Sequence, residues 1–333
     1  MPRIGMNPSR GKKLDFVPAR VTACVLTFVP HQAGFFEQRM STARMTIESI
    51  IANTDIPCDK LVFDNGSCRE MVDYLKGLLE TGKIDYLMLS RYNIGKLNAL
   101  RAMFQSAPGE VIAYADDDIY HLPGWLQAHL EVLDAYPNVG AVTGIYVRQR
   151  VKLSSSSTVK WASEGSHTLE KGLLIPRKWE DEYIDAYDRS PERYQAETEG
   201  IEDILVKFNN VEAWVGAHHF QMVTHKKVIQ PIIDEMLPTG WNDGMMGRMV
   251  EMDDLMDTKG YLRLTTREQV IRLMGNTITA DIANLARSHG LEVDAEKTNQ
   301  APSGFTRKVI SNKTIRKVMQ AVVNKFHRLL NLK

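Results

Sequence analysis

The stretch Glu110-Val-Ile-Ala-Tyr-Ala-Asp-Asp-Asp118 decides the fold of this chain. Residues 111–115 form a mostly apolar run, which predicts a buried strand of a parallel sheet. The three aspartates after it lie at the carboxyl end of that strand, the edge where open α/β sheets bind ligands. Asp116 and Asp118 are two positions apart and therefore point to the same side of an extended chain. Two carboxylates on one side suit a divalent cation that also holds a diphosphate, and a turn followed by a helix N-cap is the alternative interpretation.

The chain on both sides of this stretch alternates between strand-like and helical patterns. Strands are also predicted over 21–29, 60–63, 84–89 and 139–147, and helices over 39–53, 70–79, 96–105 and 123–135. Four strand–helix alternations with short loops predict an α/β fold with a mostly parallel central sheet and right-handed crossovers. The strands are followed by the polar residues Thr27, Asp64, Asn93 and Asp116. We expect these residues to lie along one rim of the sheet, where a nucleotide would bind.

Composition sets limits on the partners and the compartment. The chain has 333 residues, and its Lys+Arg and Asp+Glu counts are both 41, so net charge gives no reason to expect a nucleic-acid partner. The three cysteines lack metal-site spacing, which indicates reduced thiols in the cytoplasm. We see no apolar run of about 20 residues, as a membrane span would need, and no signal peptide.

The second half of the chain is less regular. The alternation stops after Arg148, and residues 148–210 read as a long insertion, which in a compact domain is typical of a lid, a binding loop or disorder. A strand is predicted over 211–216, helices over 226–235 and 243–258, and two closing strands over 261–264 and 269–273.

The C-terminal segment has its own pattern. After Glu296 there is no acidic residue, and residues 303–333 contain eight Lys or Arg. Apolar residues keep helical spacing between Ile315 and Leu330. Residues 304–333 therefore predict either a basic amphipathic helix that contacts a membrane surface or a partner, or a terminal helix that packs on its own domain.

Four short motifs occur in an order that resembles the family 2 glycosyltransferases, whose fold is called GT-A. They are Leu26-Thr-Phe28, Asp64-Asn-Gly-Ser67, Asn93-Ile-Gly95 with Asn98, and Asp116-Asp-Asp118. The resemblance covers residues 20–147 well and residues 211–276 more loosely. It implies a GT-A-like, Rossmann-like central sheet flanked by helices, with an acceptor-side insertion and a basic helical tail.

The residue patterns and the resemblance together predict a division of the chain by role. The expected parts are a flexible arm (1–18), a nucleotide-sugar-binding half (19–147), a variable insertion or lid (148–210), an acceptor-side half (211–280) and the basic tail (281–333).

A nucleoside-diphosphate sugar, with UDP as the expected nucleotide, and a Mn²⁺ or Mg²⁺ ion are the implied ligands. Asp116 and Asp118 would be the Asp-x-Asp pair on the metal, and Asp116 would also lie near the ribose. Asp64 would accept a hydrogen bond from the base, and Asp117 would lie near the sugar. The other residues implied at the donor are Thr27, Phe28, Asn93, Gly95 and Asn98.

The chemistry of such a transfer needs a bound cation and a general base. Negative charge develops on the departing diphosphate, which a bound cation stabilises as a Lewis acid. One general base must take the proton of the acceptor hydroxyl on the opposite face of the sugar, and a single displacement then inverts the anomeric carbon. Asp243 is the first candidate for this base, with an ordinary N-cap as its alternative role. Asp253 and Asp254 are the other candidates, with a solvated helix face as theirs.

The acceptor side is expected around Trp214-Val-Gly-Ala-His218, because this segment resembles the strand and turn next to the sugar in the family. Trp214, Gly216 and His218 are its candidate residues, and His219 is a further one. Some relatives carry a metal-contacting histidine where this chain has Leu273, and His167 is the only replacement considered.

Two other functions fit the sequence less well. A nucleotidyltransferase would need a glycine-rich basic loop after the first strand, but Val29–Gly34 contains one glycine and no Lys or Arg. A non-catalytic relative that binds a nucleotide is the second alternative. We predict a metal-dependent inverting hexosyltransferase that acts on a saccharide or lipid-linked acceptor in polysaccharide biosynthesis. Its expected location is the cytoplasm, peripherally at the inner membrane face.

Overall fold

The computed structural model describes residues 5–165, 168–187, 189–246 and 248–293. The expected tail helix within 304–333 and the candidate His167 lie outside the described residues. In the part of the chain that is described, no helix is long and apolar enough to span a bilayer.

Twelve strands are present among the described residues. They are β1 (Val21–Thr27), β2 (Cys58–Asn65), β3 (Tyr86–Ser90), β4 (Val111–Asp116), β5 (Ile119–His121), β6 (Val139–Thr143), β7 (Thr168–Gly172), β8 (Asp203–Phe208), β9 (Val211–Val215), β10 (Gln221–His225), β11 (Leu262–Thr266) and β12 (Ile271–Leu273).

Ten α-helices connect or follow these strands in the described ranges. They are α1 (Arg39–Asn53), α2 (Arg69–Glu80), α3 (Lys96–Ser106), α4 (Trp125–Ala135), α5 (Ser156–Glu164), α6 (Arg177–Ala186), α7 (Pro191–Thr198), α8 (Lys226–Met236), α9 (Met249–Thr258) and α10 (Ala280–Ser288).

Ten of the strands form one sheet in the order β3-β2-β1-β4-β10-β6-β11-β9-β8-β7, and β12 pairs with β5 separately. The first four are parallel neighbours, and β10 then pairs antiparallel with both β4 and β6. Following the pairings across the sheet, seven strands point one way, and only β10, β9 and β7 oppose them. The predicted α/β class with a mostly parallel central sheet is confirmed.

Helices cover both faces of the sheet, which explains why β1 is buried along its whole length. Val25 packs in one apolar cluster with Ile47 of α1, whereas Leu26 packs in a second cluster with Leu100 of α3. Successive residues of a strand point to opposite faces, so a strand between two helical layers needs apolar residues at every position. The mostly apolar runs at β1 and β4 are therefore the part of the sequence that fixes the layered architecture.

Residues 148–210 are built into the main sheet. β7 and β8 pair antiparallel with each other, and β8 pairs with β9 at the sheet's end. The buried Arg148 holds this region together, because its guanidinium donates to Asp203 at 2.8 and 3.0 Å and to Glu180 at 2.6 Å.

Two predicted elements differ most from the observed ones. The helix expected over 243–258 begins only at Met249, and residues 241–246 form a loop. Gly240 and Gly244 flank Asp243, and glycine disfavours helix by about 1 kcal/mol per residue. The alternative role of Asp243, an ordinary N-cap, is therefore wrong, since Arg248 occupies that position. The strand expected over 139–147 ends at Thr143.

Candidate active site

The register of the sheet brings the predicted rim residues together. Leu26 of β1 pairs with Asp116 of β4, and Thr27 pairs with Asp64 of β2. The carboxyl ends of three adjacent parallel strands thus meet at one edge, with Asp116, Asp117 and Asp118 at the middle of the sheet. These three residues are called the aspartate triplet below.

Asp116 is held by groups from two other positions. Lys96, the first residue of α3, places its Nζ 2.7 and 2.8 Å from the two carboxylate oxygens. The Tyr114 hydroxyl donates to Asp116 Oδ1. The Asp116 backbone N–H donates to the carbonyl of Phe220 at 2.8 Å, which joins the triplet to the segment before β10.

Arg39, the first residue of α1, binds the other two members of the triplet. Its guanidinium pairs with Asp117 and lies 3.1 Å from Asp118 Oδ2. The same group donates to the carbonyl of Gly275 and to the side chain of Asn276, both at 3.3 Å. Asp117 Oδ2 also accepts the backbone N–H of Phe28 at 3.1 Å, so Asp117 ties the end of β1 to the triplet.

The exposure of the triplet alternates as expected for an extended chain. The side chains of Asp116 and Asp118 are 22% and 27% exposed, whereas that of Asp117 is 5% exposed. Asp116 and Asp118 therefore face the open side of the rim together, and Asp117 faces inward.

Three carboxylates share two cationic partners here, which leaves one excess negative charge. Burial, together with the nearby Asp116 and Asp117, raises the pKa of Asp118 to about 6, although the Arg39 guanidinium opposes the shift. Like charges at close range raise the pKa of a carboxyl group and favour a bound cation.

The donor-side residues mainly support the rim. Asp64 is 1% exposed, and its carboxylate accepts the backbone N–H groups of Gly66 at 3.3 Å and Ser67 at 3.1 Å. The Thr27 hydroxyl lies 3.3 Å from the same carboxylate. The buried Asp64 carboxylate thus holds the turn after β2. Contacts of Asp64 and Thr27 with a nucleotide stay predictions.

Asn93 and Gly95 shape the turn before α3. Asn93 Oδ1 accepts the Gly95 N–H at 2.8 Å and the Asn65 amide at 3.0 Å. Gly95 has φ +79°, and a Cβ there would lie 2.7 Å from the carbonyl oxygen of Gly244. Only glycine meets both conditions without strain.

The Asn98 side chain binds the backbone of the 241–246 loop. Its amide donates to the carbonyl of Asn242 at 2.7 Å, and its Oδ1 accepts the Asn242 N–H at 3.0 Å. Asp243, the first predicted base, is exposed on this loop. The loop therefore docks at the start of α3, beside Lys96, whose N–H donates to the carbonyl of Met245 at 2.8 Å.

The acceptor-side candidates are a buried tryptophan and the residues of the segment that follows it. Trp214 is 1% exposed and donates to the carbonyl of Arg267 at 2.9 Å, so the structure places it in the core rather than on an open surface. Gly216 has φ +110°, and a Cβ there would lie 3.0 Å from the side chain of Arg150. His218 and His219 follow on the segment that leads to Phe220.

Asp253 lies in the same region as these histidines. Its buried carboxylate accepts from His219 Nδ1 at 2.7 Å and pairs with Arg263 at 2.6 Å and Arg150 at 3.3 Å. Asp254, the third predicted base, is exposed and accepts from the Ser154 hydroxyl instead. Of the three carboxylates considered as a base, Asp253 alone contacts the segment that joins the triplet.

Comparison with known proteins finds one family model that matches part of the chain. Residues 38–179 match the family model described as "Glycosyl transferase family 2". This span includes the aspartate triplet, Asp64 and the turn from Asn93 to Asn98. The matched span is somewhat less than half of the chain. The predicted resemblance to this family is confirmed.

The chain is also similar to solved glycosyltransferase structures. One is the mannosyltransferase PcManGT from Pyrobaculum calidifontis in complex with GDP-Man and Mn²⁺, at 21% identity and a TM-score of 0.34, covering 44% of each chain. Another is S. aureus TarS 1-349, at 13% identity and a TM-score of 0.41, covering 84% of this chain and 68% of that one. The same protein in complex with UDP-GlcNAc matches at 11% identity and a TM-score of 0.40, covering 84% of this chain and 69% of that one. This chain thus spans less than half of the mannosyltransferase. The search of curated proteins found no match.

The family 2 segment has a donor set that suits a hard cation. Carboxylate oxygens are the ligands that Mg²⁺ and Mn²⁺ take in proteins, and Mg²⁺ usually binds one or two carboxylates together with substrate phosphates. The described residues contain no cluster of three or more His, Cys, Asp or Glu side chains arranged for a metal.

Sequence reasoning missed the cationic residues of the site. Lys96 had a usable signal, because it opens the helix directly after the Asn-Ile-Gly turn. Arg39 had none, since it is 78 positions from Asp117 and only the fold brings α1 to the triplet. Arg150 comes from the predicted insertion, where no motif was recognised.

Proposed function

We propose that this protein is a metal-dependent inverting glycosyltransferase. It would move a sugar from a nucleoside-diphosphate sugar, with UDP as the expected nucleotide, to a hydroxyl group of a saccharide or lipid-linked acceptor. The observation that carries the proposal is the aspartate triplet at the carboxyl end of β4, within the segment that matches glycosyl transferase family 2.

Asp116 and Asp118 would hold Mn²⁺ or Mg²⁺, because they are the two triplet members that face the open side of the rim. The bound ion would supply Lewis-acid stabilisation of the diphosphate as it leaves. Asp117 would keep its inward contacts with Arg39 and with the N–H of Phe28, and so fix the end of β1 beside the donor.

Lys96 and Arg39 would act directly on the donor's charge. Both side chains are mostly buried and already lie within hydrogen-bond distance of the triplet. Fixed positive groups stabilise negative charge that develops in the transition state, and they do so best where water is excluded. Thr27, Phe28, Asp64, Asn93, Gly95 and Asn98 would form or support the nucleotide side of the pocket.

The acceptor side would be formed by residues 211–280 and by the insertion over 148–210. Tyr187, at the end of α6, packs 6.4 Å from the Phe220 ring, and Arg150 contacts His218 at 2.9 Å. We place the activity in polysaccharide biosynthesis in the cytoplasm, at the inner membrane face, with the basic segment 304–333 as the proposed contact with the membrane or a partner.

The test is a transfer assay with purified protein, a panel of nucleoside-diphosphate sugars and added Mn²⁺. Asp116→Asn and Asp118→Asn should each lower kcat at least about a hundredfold, since the lost electrostatic stabilisation is of the order of 3 kcal/mol or more. Asp73→Asn on the exposed surface of α2 is the matched control and should leave the rate unchanged. Full activity in both triplet variants would refute the proposed metal site.

A second candidate is a non-catalytic relative that binds a nucleotide. The observation in its favour is that Lys96, Tyr114 and Arg39 already occupy oxygens of every triplet carboxylate. Such a protein would bind a nucleoside diphosphate without turning over any sugar nucleotide in the same assay.

A further inference from the structure

His219, on the segment before β10, and Asp253, on α9, form a hydrogen-bonded pair. His219 Nδ1 lies 2.7 Å from Asp253 Oδ2. The His219 side chain is 16% exposed, whereas that of Asp253 on α9 is 2% exposed. A mostly buried carboxylate thus orients an imidazole that still reaches the surface.

Two arginines hold the Asp253 carboxylate in position beside His219. Arg263 lies 2.6 Å from Oδ1, and Arg150 lies 3.3 Å from Oδ2, the oxygen that also faces His219. Arg263 is itself fully buried and donates to the carbonyl of Ala217 at 2.7 Å. Oδ2 of this carboxylate accepts the Nδ1–H of His219, which puts the lone pair of the neutral ring on Nε2.

His218 does not have the same freedom. Its Nε2 lies 2.9 Å from Arg150, and its Nδ1 lies 3.1 Å from the backbone N–H of His219. Burial and the charge of Arg150 lower the pKa of His218 well below its usual value. Both ring nitrogens of His218 are therefore occupied and its imidazole is neutral. The centre of its ring lies 3.9 Å from that of Phe220.

His219 is linked to the aspartate triplet through the backbone of the next residue. His219 directly precedes Phe220, whose carbonyl accepts the N–H of Asp116 at 2.8 Å. Consecutive Cα atoms are 3.8 Å apart. The Cα atom of His219 is therefore about 3.8 Å from that of Phe220, the residue that is hydrogen-bonded to Asp116. A sugar whose diphosphate binds at the triplet would lie within reach of this segment.

We propose that His219, oriented by Asp253, is the general base for the acceptor hydroxyl. The assignment rests on the proposed glycosyltransferase function. The acceptor O–H proton moves to His219 Nε2 as the oxygen forms its bond to the anomeric carbon. The bond from that carbon to the diphosphate oxygen breaks, and its electron pair leaves with the nucleoside diphosphate. The imidazolium then releases its proton to water.

Asp253 would stabilise the imidazolium of His219 once it forms, because the two side chains are hydrogen-bonded. Asp253 contacts no substrate in this scheme and is a positioning residue. An imidazole oriented by a carboxylate follows the same logic as a histidine–aspartate pair in other group transfers.

The test compares His219→Gln and Asp253→Asn with the control His225→Gln, a partly exposed histidine at the far end of β10. His219→Gln should lower kcat about 10²- to 10⁴-fold and remove the acidic limb of the pH–rate profile. Its affinity for the donor nucleotide, measured by calorimetry with Mn²⁺, should stay within about twofold of wild type. Asp253→Asn should displace the acidic limb, and His225→Gln should change neither.

Wild-type kcat in His219→Gln would overturn the assignment and leave the proposed function standing. A lower kcat that retains the acidic limb would overturn it as well, because that pattern indicates a structural role. Absence of any transfer by the wild-type protein, with or without nucleotide binding, would overturn the proposed function and the assignment with it.

Discussion

At the scale of single residues, the site is defined by how negative charge is balanced. Three adjacent carboxylates are tolerated because Arg39 and Lys96 come from the first turns of two helices that flank the sheet. The carboxylates were predictable, since the Asp-Asp-Asp run follows an apolar strand. Their partners were not, because each pairing joins residues that are far apart in sequence and depends on how α1 and α3 pack.

Lys96→Met tests whether the positive charge beside Asp116 contributes to nucleotide binding. The variant keeps the length of the side chain but removes the charge 2.7 Å from Asp116. We expect the Kd for a nucleoside diphosphate to rise about tenfold or more, because a hydrogen bond to a charged group contributes about 1.5–3 kcal/mol. Lys76→Met, on the exposed face of α2, is the control. Equal nucleotide affinity in both variants would contradict a role for Lys96 at the donor.

At the scale of elements, sequence patterns located the first half of the fold well. The runs predicted over 21–29, 60–63 and 111–115 are β1, β2 and β4, because a strand covered on both faces needs uninterrupted apolar sequence. The patterns failed where local signals compete, as at the helix expected from Asp243. They also gave no sign that the insertion adds β7 and β8 to the sheet, since pairing partners are a tertiary property.

Gly95→Ala tests how the turn before α3 supports the site. Alanine at φ +79° is strained, and its Cβ would lie 2.7 Å from the Gly244 carbonyl. We expect a loss of roughly 1–3 kcal/mol in the free energy of unfolding, measured by urea denaturation.

Gly77→Ala is the matched control for this experiment. Gly77 lies inside α2, and a Cβ there would meet no atom within 4 Å. The same substitution should stabilise the protein by roughly 0.5–1 kcal/mol. If the two variants were equally stable, the close approach of the 241–246 loop to α3 would be wrong.

At the scale of the whole molecule, one continuous sheet carries both sides of the candidate site. β1, β2 and β4 present the donor rim, and β10 and β11 present the segment with His218, His219 and Arg263. The antiparallel β10 between β4 and β6 is the feature that brings these two sets together. It was not predictable from the alternating pattern, which indicated only parallel pairing.

Two buried histidines make the stability of the whole molecule depend on pH. Burial and the neighbouring His129 lower the pKa of His121 to about 3, and burial lowers that of His129 to about 4. The unfolded chain protonates histidine near pH 6.5, so unfolding below that pH is coupled to proton uptake. The stabilisation is therefore complete above pH 6.5 and decreases as the pH falls toward 4, by about 2 kcal/mol per histidine at pH 5.

Denaturant unfolding at pH 7.5 and pH 5 measures this effect. His121→Phe keeps a ring against Trp125, which lies 4.5 Å away, and removes one of the two titrating groups. The variant should lose less stability than wild type between the two pH values. An unchanged difference would show that His121 is not held neutral in the folded protein.

The most direct test of the central claim is calorimetric titration of the purified protein with UDP, GDP, dTDP and CMP, each with and without Mn²⁺. The account predicts that one nucleoside diphosphate, UDP first, binds only when Mn²⁺ is present, and that Asp118→Asn abolishes this dependence. Binding of none of the four by folded protein, or binding that is equally tight without the metal, would contradict it.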